Sequence, residues 1–345
     1  MTDMDDLLAA LANRDSPVDR ESWHTFFNRL VSRKLHRGEA AAVLTSLSTA
    51  MPDHDTLGAL LDCLDERRPA PAVGFAGAVN IVGTGGGPRT FNVSTAAAVV
   101  AAAMGARVVK TGSRRYTSRY GSLDLLDRLG VRLTTSYEET AEALDRFGVA
   151  FAGLFVYPAE IALLAKEILP LDLRTVGRFV NSVGPFLAAM PVSQQLTGVA
   201  NPAVLPGLRY LAGRLPDRQV WLCHNHLGVD ELVGFADNLI LCGEDEQRLP
   251  ADTYTRPGGA LTDLASTGCD PVEQFLDVLT GQASATAVDA VCLNAAALAV
   301  LNGLYGDIAS AVLAAEDTVH NGAAVDLVHR MRTARATNLL AAGHV

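Results

Sequence analysis

The stretch that decides the fold is NIVGTGGGPRTFNVST, residues 80–95. Four of the five residues from Gly83 to Gly87 are glycine, set between an apolar segment and a run that reads as a helix. Glycines this dense serve where backbone must come closer to another group than a Cβ allows. The usual group is a phosphate. A dinucleotide fingerprint fails, because G-x-G-x-x-G counted from Gly83 meets Pro88 in place of its third glycine. A P-loop fails too, since the loop holds no lysine. Two readings remain. One is a nest of backbone N–H groups feeding a helix N-terminus, with Asn92, Ser94 and Thr95 adding side-chain donors for a pyrophosphate or a phosphorylated sugar. The other is an ordinary strand-to-helix turn with Ser94 as its N-cap.

Outward from this loop, short apolar strands alternate with helices. AVNIV (78–82) and ARVVKTG (106–112) read as strands, and STAAAVVAAAMG (94–105) and GSLDLLDRLG (121–130) as helices. QVWLCHN (219–225) and NLILCGE (238–244) are further strands, and three long helices close the chain from Asp289 onward. Such alternation predicts an α/β fold with a largely parallel central sheet flanked by helices, whose ligands gather beyond the carboxyl ends of the strands. Residues 1 to about 67 instead carry apolar residues at helical spacing throughout. RRPAPAVGFAGA (67–78) then marks a connection. The expected organisation is an N-terminal helical domain over 1–70, to which segment 158–190 returns, and an α/β domain over 71–157 and 191–345.

Composition narrows the function classes. A chain of 345 residues with 49% hydrophobic content can bury a large core. Its longest apolar run is Ala-rich and interrupted by Gly105, too short to span a bilayer, and the N-terminus is acidic where a signal peptide is basic. Five scattered cysteines without CxxC spacing suit reduced thiols, so a cytoplasmic protein without membrane attachment is expected. A net charge of −10 opposes nucleic-acid binding but permits a local anion pocket.

Two further clusters supply chemistry. KTGSRRYTSRYGSLD (110–124) starts at a strand end and gathers Lys110, Arg114, Arg115 and Arg119 among hydroxyl residues, an anion site within an acidic protein. CHNHLGVDELVG (223–234) places Asp230 and Glu231 after another strand, where they can hold Mg²⁺ together with substrate oxygens. His224 and His226 alternate on one strand face, but no third nitrogen or sulfur ligand stands at a spacing that would indicate zinc.

Together, VGTGGGPRTFNVST, KTGSRRYTSRYGSLDLLDRLGV and HNHLGVDEL, in that order, resemble the anthranilate phosphoribosyltransferases, whose fold is shared with the pyrimidine nucleoside phosphorylases. The resemblance extends through the closing helices and covers essentially the whole chain. It implies an enzyme, a Mg²⁺-dependent pentosyltransferase that moves phosphoribosyl from 5-phosphoribosyl 1-pyrophosphate to a small aromatic acid and works as a homodimer through its N-terminal helices. By motif position, Gly83, Thr84, Gly85, Gly86, Asn92, Ser94, Thr95, Lys110, Ser118 and Gly121 would bind the donor. Ser94, Asp230 and Glu231 would hold the metal, and Lys110, Asp230 and Glu231 would serve catalysis.

The departures fall mainly on the acceptor side. The glycine loop is one residue shorter than the family's GTGGDG pattern, with Gly87 in place of aspartate. K-H-G-N-R becomes K-T-G-S-R, so Thr111 and Ser113 replace histidine and asparagine, and H-P-A becomes Tyr157-Pro158-Ala159. Among Lys166, Arg174 and Arg178, Arg174 is the residue expected to meet an acceptor carboxylate, because LRTV resembles the base-binding segment of the pyrimidine phosphorylases. With Thr111, Ser113, Tyr157 and Arg174 as acceptor residues, the expected acceptor is an aromatic or heteroaromatic carboxylic acid related to anthranilate, in a specialised pathway. Transfer to anthranilate itself, a phosphorolytic enzyme on the same fold and a non-catalytic nucleic-acid-binding relative are the alternatives.

Overall fold

The computed structural model describes residues 4–68, 70–111, 121–265 and 270–342, with backbone alone at 174–175 and 335–342. The chain divides into two compact units. One comprises residues 1–70, 155–189 and 202–215, and the other 71–154, 190–201 and 216–345. Segment 202–215, placed with the α/β part in the sequence reading, clusters with the helical unit.

In the helical unit, Asp19 and Asp53 cap the helices Arg20–Val31 and His54–Arg67, accepting from the Ser22 and Thr56 amides at 2.8 Å each. Trp23, Phe26 and Phe27 fill the interior behind them. The returning segment is tied in by polar contacts: Ser48 donates to the Val176 carbonyl at 2.9 Å, and Arg67 pairs with buried Glu160 at 3.5 Å.

The larger unit is built on a seven-stranded sheet: β1 (Ala78–Gly83), β2 (Arg107–Thr111), β3 (Val149–Ala152), β4 (Gln194–Gly198), β5 (Gln219–Asn225), β6 (Asn238–Cys242) and β7 (Asp245–Leu249). The spatial order is β3-β2-β1-β4-β5-β6-β7. The first five strands are parallel and the last two add antiparallel pairs, an α/β sheet that is largely parallel. Flanking it, the Ala-rich helices Val93–Ala103 and Ala285–Leu301 pack together and are buried almost all round, as their apolar composition on every face requires.

Three strands, β3, β4 and β7, are not among those read from the sequence. The omission of β4 matters most, because QQLTG lies in the middle of the sheet yet looks polar. Its polarity is satisfied internally. Buried Gln195 donates to Thr197 at 3.0 Å, while its carbonyl oxygen accepts from Asn80 at 3.3 Å and Arg218 at 3.0 Å.

The chain runs outward from β1 through β2 to β3, then crosses back to place β4 on the other side of β1. The strand order therefore reverses between β1 and β4, opening a crevice at their carboxyl ends where ligands bind in open α/β sheets. The glycine run begins there, at Gly83. Among the described residues, no helix is long and apolar enough to cross a membrane.

Candidate functional site

The glycine loop bends away from β1 with Gly85 at φ 64° and Gly86 at φ 86°, left-handed conformations that favour glycine. The helix that follows starts at Val93, with Asn92 at its cap and no side-chain capping bond. Ser94 is therefore not the N-cap that an ordinary turn would use. Its hydroxyl instead accepts from the Lys110 ammonium at 3.0 Å. Lys110 comes from the end of β2, is 5% exposed and also bonds the Thr111 carbonyl at 3.4 Å.

The glycines at the switch point have a second use. Gly83 and Gly198 are register partners on β1 and β4. A Cβ on Gly83 would collide with the Asp230 carboxylate, and one on Gly198 with the Asp230 backbone carbonyl. Asp230 thus settles on a floor that only glycine can form, and its Oδ2 accepts the Gly85 amide at 2.8 Å. Gly87 makes a comparable approach, since a Cβ there would strike the Gly228 carbonyl. An aspartate side chain at position 87 is incompatible with this path of the shortened loop.

Glu231 lies beside Asp230 and accepts from Thr90 at 3.3 Å. Burial pushes both carboxyl groups upward, Glu231 well above its ordinary value because the neighbouring Asp230 charge adds to the effect. Burial also lowers Lys110 to about 8, against the attraction of Glu231 and Asp230. A cation between the carboxylates and an anion at the lysine would each relieve this tension.

The other predicted donor residues are more mixed. Thr84 continues the β1–β4 ladder through its amide, bonded to the Gly198 carbonyl at 2.9 Å, and its hydroxyl accepts from Ala200 at 3.2 Å. The Thr95 hydroxyl, in the first turn of helix Val93–Ala103, and the Thr111 hydroxyl, at the end of β2, are buried with no hydrogen-bond partner among the described residues. Gly121 caps the helix Ser122–Leu129, and its amide is taken by Asp124 at 3.0 Å. Ser113 and Ser118, with Arg114, Arg115 and Arg119, lie outside the described residues.

Of the acceptor residues, Tyr157 precedes the helix Ala159–Glu167, which carries exposed Lys166 in its last turn. Arg174 lies in the short helix Leu173–Val176, described by its backbone alone, and exposed Arg178 opens the helix Arg178–Leu187. His224 directs Nδ1 at the Val199 carbonyl at 2.9 Å.

Sequence reasoning missed Gly198 and Thr90. The TGVA segment holding Gly198 carries no motif, because its need for glycine is set by Asp230, 32 positions later. Thr90 was signalled only by lying between the glycine run and the helix.

Among the described residues, no group of three or more His, Cys, Asp and Glu side chains is placed to hold a metal. Two adjacent buried carboxylates, whose charge burial disfavours until a cation answers it, are nevertheless a fitting donor set for Mg²⁺, a hard cation that completes its shell with water and phosphate oxygens.

The Glycosyl transferase family, a/b domain, matches residues 76–325. The anthranilate phosphoribosyltransferase of Methylorubrum extorquens is 31% identical over 330 residues, covering 93% of this chain and 96% of the relative. The crystal structure of anthranilate phosphoribosyltransferase from Thermus thermophilus superposes with a TM-score of 0.78 at 26% identity, over 95% of this chain and 98% of that one. The Saccharomyces cerevisiae enzyme, solved in complex with PRPP and Mg, shares the fold at a TM-score of 0.79 and 20% identity, over 92% of each chain. Family model, sequence identity and structural superposition agree, and the chain belongs to the anthranilate phosphoribosyltransferase family of pentosyltransferases.

Proposed function

We propose that the protein transfers the 5-phosphoribosyl group of phosphoribosyl pyrophosphate to an aromatic or heteroaromatic carboxylic acid related to anthranilate, releasing pyrophosphate, with Mg²⁺ required. The observation that carries the donor half is the buried Lys110 ammonium, 3.0 Å from Ser94 and within the fields of Asp230 and Glu231, beside the crevice between β1 and β4. A lone buried lysine next to two carboxylates suits a polyanion that arrives with its own cation.

In this reading, Asp230 and Glu231, with Ser94, hold Mg²⁺, which supplies charge neutralisation to the departing pyrophosphate. The Gly85 amide is committed to Asp230, so Gly86 in the loop and Ser94 at the start of helix Val93–Ala103 would offer backbone N–H groups to the phosphates, with Asn92, Ser94 and Thr95 as side-chain partners. Ribose C1 exchanges its bond to the pyrophosphate oxygen for one to the acceptor. Positive charge builds on the ribose as the bond opens, while Lys110 stabilises the negative charge on the leaving group. The site works by positioning and electrostatics and needs no general base at the donor.

The replacements at Thr111, Ser113 and Tyr157 favour an acceptor that differs from anthranilate in its polar contacts. Anthranilate itself is the second reading, favoured by the 31% identity over 93% of the chain with the Methylorubrum extorquens anthranilate enzyme. The test is acceptor-dependent pyrophosphate release from phosphoribosyl pyrophosphate and Mg²⁺, with anthranilate followed by ring-substituted and heteroaromatic acids. Release with one of these acids is expected. No release with any, together with Mg²⁺-independent phosphorolysis of a pyrimidine nucleoside, would contradict the proposal.

A further inference from the structure

Residues 229–233 carry the carboxylate pair yet belong to no helix or strand, although Val229, Leu232 and Val233 are buried. Buried backbone outside a ladder needs other hydrogen-bond partners. Three asparagine side chains, each 3% exposed or less, provide them. Asn225, at the end of β5, donates to the Glu231 carbonyl at 2.9 Å and the Val229 carbonyl at 3.3 Å, and accepts from the Val229 amide at 3.4 Å. Asn238, at the start of β6, accepts from the Val233 amide at 3.1 Å and donates to its carbonyl at 2.7 Å.

Asn294 comes from helix Ala285–Leu301, 62 positions downstream of Leu232. It accepts from the Leu232 amide at 3.1 Å and donates to the Leu232 carbonyl at 2.8 Å. Its second N–H donates to the Ala290 carbonyl of its own helix at 2.8 Å, which locks the side chain in place. A carboxamide offers an acceptor and two donors on one short stem, the pattern a stranded peptide unit requires.

We infer that Asn294 is a positioning residue for the metal carboxylates. By clamping Leu232 to a buried helix, it fixes the backbone that aims Asp230 and Glu231 before any ligand arrives. The inference rests on the Mg²⁺-dependent donor binding proposed above. Groups that orient metal ligands from behind typically change metal affinity by about 10- to 100-fold when removed, and the buried Asn294 side chain spends its oxygen and its amide on Leu232 and Ala290.

The experiment is calorimetric titration of phosphoribosyl pyrophosphate into the full-length protein over a series of Mg²⁺ concentrations, for wild type and Asn294→Ala. The expected result is a rise of at least about tenfold in the Mg²⁺ needed for half-maximal donor binding, with binding restored at saturating Mg²⁺. A folded Asn294→Ala that binds with wild-type Mg²⁺ dependence would overturn the inference alone. A wild type lacking Mg²⁺-dependent binding would overturn the functional reading and the inference with it. Should the variant not fold, amide hydrogen exchange on the unliganded wild type decides. Slow exchange at Leu232 and Val233 is the expected result, and exchange as fast as in exposed loops contradicts a pre-set clamp.

Discussion

Gly198 lies so close beneath the backbone carbonyl of Asp230 that no side chain fits between them. Its register partner Gly83 is held against the Asp230 carboxylate, somewhat less tightly. The two contacts differ in what can yield. At Gly83 the obstacle is a side-chain tip, whereas at Gly198 it is backbone. Gly198→Ala should therefore be the more damaging change, costing about 1–3 kcal/mol in stability by overpacking and about 100-fold in kcat/KM by displacing Asp230. Gly83→Ala should cost less stability while still weakening donor binding. Chemical denaturation and steady-state kinetics on both variants test the order.

Lys110 should give the proposed donor site a pH dependence whose sign follows from its burial. Its pKa in the folded protein is about 8, below the ordinary lysine value of 10.5. A bound polyanion favours the charged form, so the Lys110 contribution to donor affinity should be complete below about pH 8 and should weaken by up to about tenfold per unit above it. Stability moves the opposite way. Between about 8 and 10.5 the unfolded chain holds the proton that the folded one has lost, so the stability contributed by Lys110 rises with pH, while the buried thiols of Cys63, Cys223 and Cys292, pushed up by burial, contribute in the opposite direction. Lys110→Met should remove the Lys110 contribution to both, read as the difference between variant and wild type in calorimetric binding and thermal unfolding across this window.

Glu231 is unfavourable to the fold until its charge is answered. Its folded pKa is raised, so the unfolded chain releases its proton first and stability contributed by this group falls as pH rises from the ordinary carboxylate range to the folded value. Glu231→Gln should raise the melting temperature of the metal-free protein at neutral pH and remove stabilisation by Mg²⁺ with donor. A lower melting temperature in metal-free buffer would contradict this account of the carboxylate pair.

Gln195 tests the polar interior of the sheet. Its side-chain oxygen serves both Asn80 and Arg218, and its amide serves Thr197. Gln195→Leu has similar bulk but withdraws these partners from buried groups, and should cost about 2 kcal/mol. Urea denaturation would show it as a lower midpoint with an unchanged slope.

These particulars explain how far the sequence could be read. β1, the glycine loop and helix Val93–Ala103 were legible because an apolar run, a glycine cluster and a periodic alanine-rich segment each carry a local signal. Lys110, Asp230 and Glu231 carry motif signals at strand ends, and the structure buries their charges where each feels the others. β4 was not, since Gln195 and Thr197 look like surface residues until their partners on β1 and near β5 are known. Gly198 and Asn294 escaped for the same reason. Each is defined by a backbone group far away in sequence, and a single glycine or asparagine carries no local mark of that distant requirement. The one-residue shortening of the glycine loop was visible, but its link to Gly228 through Gly87 emerged only from the folded path.

The most direct measurement is calorimetric titration of phosphoribosyl pyrophosphate into the wild-type protein, with Mg²⁺ and again with the metal removed by chelation. The account predicts saturable one-to-one binding with Mg²⁺ and at least about tenfold weaker binding without it, as two buried carboxylates then face the phosphates unneutralised. Equal affinity in both buffers, or no binding in either, would contradict the assignment of the Lys110, Asp230 and Glu231 cluster as a donor site.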